Sequence, residues 1–157
     1  MKLAEALSLR SDAQKRLAQL RSRAEASARY QEGEEPPEDA QQLLSSAEDV
    51  AAELETLIRA INRTNAATEI EPGLTITDAI AQRDILKERH SLLSSVANAA
   101  SGKGQASTGY RQIRSELRYV SAVSVADLRN KADQIAQEHR KLDTRIQEKN
   151  WEVELID

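Results

Sequence analysis

Among 157 residues there is no cysteine and no phenylalanine, and only five glycines, three prolines and one tryptophan. Without cysteine there can be no disulfide, no thiol redox chemistry and no cysteine-ligated metal. An aromatic content of 3% and so few glycines oppose an all-β fold, which draws on aromatic and β-branched residues and on frequent turns. No apolar run approaches the ~18 residues that a membrane-spanning helix requires. The amino terminus, Met1-Lys2-Leu3-Ala4-Glu5, enters an amphipathic pattern at once, without an apolar signal region or cleavage site. A soluble cytoplasmic protein with no membrane partner is therefore expected. A basic surplus is also missing: 22 bases against 26 acids leave a net charge of −4, which argues against nucleic acid. The one basic stretch, Lys103 to Arg118, sets Lys103, Arg111, Arg114 and Arg118 against Glu116 and reads as a solvated loop.

What the chain does contain is alanine, leucine, glutamate, glutamine, lysine and arginine, the strong helix formers. Four segments carry apolar residues at alternating spacings of four and three, as helices packed side by side require. The first, over about 2–30, has the stripe Leu3, Leu7, Ala13, Leu17, Leu20, Ala24 and Ala28. Gly33 with Pro36-Pro37 ends it, and Glu38 and Asp39 suit the first turn of a second helix over 39–66. That helix has the stripe Leu43, Ala47, Val50, Leu54, Leu57, Ile61 and Asn65. After a turn at Glu71-Pro72-Gly73, with Thr75 and Thr77 as competing caps, a third helix over 77–101 follows. Its stripe is Ala79, Gln82, Leu86, His90, Leu93, Ala97 and Ala100. A flexible loop over 102–109 precedes the fourth helix, over 125–154, with Leu128, Ala132, Ile135, His139, Leu142 and Ile146 inward. Partial alternation in Leu117 to Val123 predicts a short strand, paired with 68–77 or with another subunit. The expectation is one mainly all-α domain of antiparallel helical hairpins.

Polar residues on or beside these stripes are the candidates for function. Asn62, Arg63 and Asn65 close helix two; Arg83, Asp84 and His90 lie on helix three; His139 and Asp143 lie on helix four. Such groups either fix register or form a site. Two histidines invite a metal, but the chain has neither His-Glu-x-x-His nor Glu-x-x-His, so no metal is assigned. There is also no Gly-x-Ser-x-Gly elbow and no Walker or Rossmann glycine pattern, so no catalytic residue or cofactor is assigned. Trp151, followed by Val153, Leu155 and Ile156, reads either as a subunit contact or as a folded-back cap.

Several segments resemble the septicolysin-like family of small helical bacterial proteins. They are Met1-Lys2-Leu3-Ala4-Glu5-Ala6-Leu7, Glu32-Gly33-Glu34-Glu35-Pro36, Ile61-Asn62-Arg63-Thr64-Asn65, Leu74 to Asp84, and Leu142 to Gln147 with Asn150-Trp151. The resemblance implies a helical fold of unestablished role and draws attention to Asn62, Arg63 and Asn65. Its label suggests lysis, but no secretion signal, inserting hairpin or lysin cysteine accompanies it here. Two functions then compete. One is a non-enzymatic homo-oligomeric module presenting its surface to a protein partner. The other is an anionic-ligand binder or enzyme, with a polar pocket at the end of helix two and the start of helix three.

Overall fold

The computed structural model describes residues 1–102 and 117–156. Four helices run α1 (Leu3–Ala26), α2 (Ala40–Ala67), α3 (Ile76–Ala100) and α4 (Val125–Glu152), with a hairpin of β1 (Glu69–Glu71) and β2 (Leu74–Thr75) before α3. The chain divides into two compact units, residues 1–77 with 147–157, and residues 78–146.

In the first unit α1 packs along α2. The two are antiparallel neighbours, fastened by Arg16 to Glu53 at 2.5 Å and by Arg23 to Glu38 of the linker. Glu5 starts α1 by accepting from the Lys2 backbone N–H at 2.8 Å, half of a capping box. Asp39 starts α2: its Oδ1 accepts from the N–H groups of Gln41 and Gln42 at 3.0 and 3.1 Å. The first helix stops at Ala26, not at Tyr30. The Ser27 N–H bonds back to the carbonyls of Arg23 and Ala24, and the Arg23–Glu38 pair draws the linker away one turn earlier than the stripe suggests. Gly33 does adopt the left-handed conformation (φ 91°), but inside the linker turn, where the Glu34 N–H bonds the Gln31 carbonyl.

Pro72 and Gly73 form the two-residue turn between β1 and β2. Glu71 faces Leu74, and Gly73 has φ 81°, the arrangement of proline then glycine in a type II turn. The partner of β1 is thus its own continuation. The strand expected over 117–123 is not formed: these residues carry no ladder and lie exposed, and 69–75 pairs only with itself. The third helix begins directly at Ile76, which is fully buried, so of the two competing caps Thr75 stands immediately before the helix and Thr77 lies inside its first turn. Of the loop read over 102–109, only Gly102 belongs to the described residues. It caps α3 at φ 75° with its N–H on the Ala99 carbonyl.

The terminal segment returns to the first unit. The Leu3 N–H bonds the Val153 carbonyl at 2.9 Å, and the Leu155 N–H bonds the Met1 carbonyl at 2.8 Å. Thr64, fully buried on α2, secures its end: Oγ1 donates to the Ala60 carbonyl at 2.8 Å and accepts from the Ile156 N–H at 2.9 Å. Glu154 takes the Lys2 Nζ at 2.7 Å and the terminal ammonium at 3.0 Å. The hydrogen bonds from Lys2 and that ammonium hold its carboxyl below the ordinary value.

In the second unit α3 and α4 are antiparallel. Arg83 meets Asp143 near one end, and Arg129 donates to the Asn98 side chain at 2.8 Å near the other. Ser124 caps α4 by accepting from the Asp127 N–H at 3.2 Å. Ala79, Ala97, Ala132, Ile135, Leu142 and Ile146 form its buried interior. Across the described chain seven of the sixteen buried apolar residues are alanine, so the helices approach closely while burying little area per residue. Among the described residues no helix is long and apolar enough to cross a membrane.

Candidate functional site

The second unit carries three features on the α3–α4 pair. The first is an ion cluster. Arg83 bonds Asp84 at 2.9 Å and Asp143 at 3.2 Å. Partial burial opposes the charge on the Arg83 guanidinium, but the bonds to Asp84 and Asp143 outweigh it and hold its proton more firmly than usual. Three of the expected site residues are therefore bonded to one another. Their arrangement joins α3 to α4 and leaves no free arginine there for an anion.

One turn further along lies a groove of about 200 Å³, lined by Lys87, His90, Ala136, His139 and Arg140. It brings together the two histidines that the stripes placed on separate helices, and adds Lys87 and Arg140, which the sequence pattern does not single out. Among the described residues no group of three or more histidines and carboxylates is placed to hold a metal ion.

The third feature is apolar. At 100° per residue, consecutive apolar residues such as Ile85-Leu86 and Leu92-Leu93 cannot share one face of a helix. Leu86 and Leu93 turn toward the interior, while Ile85, Leu92 and Val96 remain 59%, 62% and 41% exposed. Helix α3 thus has two apolar flanks and its own unit covers one. Val96 also borders a cavity of about 400 Å³ walled by Ala99, Ala100 and the segment Tyr119–Val123. The doublets were the available signal for this face; only their second members had been assigned to the stripe.

The remaining expected residues fall in the first unit. Asn62 and Arg63 are exposed and Asn65 is half-buried near the end of α2. Arg63 borders a shallow surface of about 340 Å³ with Thr56, Arg59 and Ala60. Trp151 stands 63% exposed in the last turn of α4, while Val153 and Leu155 beyond it are half-buried in the returning terminal segment.

Two α-hairpins with lean alanine seams define a small, mainly all-α protein. Residues 10–155 match the model of a family of unknown function (DUF6847), and the chain belongs to that family. It is similar to the crystal structure of a functionally unknown conserved protein from Corynebacterium diphtheriae. The two are 38% identical, with a TM-score of 0.90 over 99% of each chain. No curated protein matches it.

Proposed function

We propose that the protein is a non-enzymatic module that associates with a second copy of itself through the outer flank of α3. The observation that carries this reading is the row Ile85, Leu92 and Val96, left exposed beside an interior rich in alanine. The face is also self-complementary. In an antiparallel pairing about a two-fold axis between positions 88 and 89, Ile85 meets the partner's Leu92. Ala81 then meets the partner's Val96, and Glu88 meets the partner's Arg89. Such an isologous contact satisfies each pair twice. Glu88 and Arg89 are both exposed and form no ion pair among the described residues, so both charges are free for it.

Burying large apolar side chains of this kind contributes ~1.5–3 kcal/mol each at most, and association costs several kcal/mol. A dissociable dimer follows, suited to a cytoplasmic protein that presents its remaining surface to others. The septicolysin-like resemblance enters only as a helical family without an established role, and no lytic step is proposed. Light scattering during size exclusion tests the reading. The expected mass is about twice the 17.4 kDa chain, reverting to the chain mass in Leu92→Asp. A wild-type chain that stays at its single mass at micromolar concentrations sinks it.

A further inference from the structure

We infer that the groove between α3 and α4 lined by Lys87, His90, His139 and Arg140 binds a small oxyanion carrying one or two phosphate groups. Four nitrogen-bearing side chains from two helices border it together with Ala136, and no acid lines it. None of the four makes a side-chain hydrogen bond or ion pair among the described residues. The acids one helical turn away, Asp84 and Asp143, each give one oxygen to Arg83, at 2.9 and 3.2 Å. Two of the groove's four nitrogen-bearing side chains, Lys87 and Arg140, carry full positive charge in a chain whose net charge is −4.

Phosphate suits these donors. Arg140 offers a planar fork, Lys87 a compact charge, and each imidazole an N–H, while the half-buried histidines weaken the competition from water. A cavity of about 200 Å³ admits an anion of that size. A long polyanion is disfavoured, because the acidic remainder of the chain repels it.

The site goes beyond the proposed dimer and lies apart from its surface: at 100° per residue Lys87 stands roughly 200° round α3 from Ile85. Titration with orthophosphate and with pyrophosphate, followed by calorimetry and by the histidine ring resonances, tests it. Wild type should bind pyrophosphate more tightly than orthophosphate, and both sets of ring resonances should move. The exposed double variant Lys87→Gln/Arg140→Gln, with unchanged helical circular dichroism, should bind at least about tenfold more weakly. Leu92→Asp should bind as wild type does, which separates failure of this site from failure of the dimer. Equal affinity in wild type and the double variant overturns the assignment, as does the lack of any binding to wild type at millimolar anion.

Discussion

Replacing Thr64 by valine removes one hydroxyl from a fully buried position while keeping the side chain's shape. In the wild type that hydroxyl donates to Ala60 at 2.8 Å and accepts from the Ile156 N–H at 2.9 Å. Losing the first bond matters little, because the Ala60 carbonyl also serves the helical ladder of α2. Losing the second strands a partly buried backbone donor, which costs about 1–3 kcal/mol, and the extra buried methyl offsets some of it. A net loss of ~1 kcal/mol corresponds to a fall in Tm of about 2–4 °C for a chain of this size. Thermal unfolding alone does not separate this from a packing defect. Amide exchange does: the Ile156 N–H should exchange faster in Thr64→Val and stay protected in Thr64→Ser, which keeps both bonds but loses a methyl. A valine variant as stable as wild type, with Ile156 still protected, would refute the reasoning.

Three further outcomes follow from the first unit. Because its folded-state pKa is depressed, Glu154 stabilises the fold above its ordinary value of 4.5, and that contribution disappears as pH falls through the lower folded value. The Tm difference between wild type and Glu154→Gln should therefore be constant near neutrality and shrink below about pH 4.5; a difference independent of pH would contradict it. Asp39→Ala should cost about 1 kcal/mol by removing the cap of α2, read from urea unfolding, and Asp39→Asn should restore most of it. At Gly73 a Cβ would meet nothing within 4 Å, so Gly73→Ala should destabilise by about 1–2 kcal/mol through its φ of 81° alone, and Gly73→Asn by less.

The helices were legible because each carries one inward stripe that a single period describes. Leu43, Val50, Leu57 and Ile61 on α2 lie buried, as do Ala132, Ile135, Leu142 and Ile146 on α4. Ends were harder: α1 closes at Ala26 because Arg23 holds Glu38, a contact between residues that no local pattern couples. The segment around Tyr119 alternates like a strand, yet alternation alone does not make one: a strand needs a partner, and these residues pair with none among the described residues. Arg83, Asp84 and Asp143 each stand out in the sequence, but only the antiparallel register of α3 and α4 brings Asp143 to Arg83. His90 and His139 gained a setting once Lys87 and Arg140 joined them. The exposed flank of α3 went unread for a different reason. A stripe search assigns one face per helix, and Ile85 and Leu92 belong to a second.

The lack of any cysteine makes the dimer open to a direct test. A chain carrying Ile85→Cys is mixed under oxidising conditions with a chain carrying Leu92→Cys, and disulfide formation is followed by mass. In the antiparallel pairing, position 85 faces position 92 of the other copy. Two copies of position 85 lie about 10 Å apart along the axis, beyond the reach of a disulfide. The account predicts that the mixed 85–92 cross-link forms readily and that neither chain cross-links efficiently to itself. Absence of the mixed product, or equal yields from all three combinations, would contradict it.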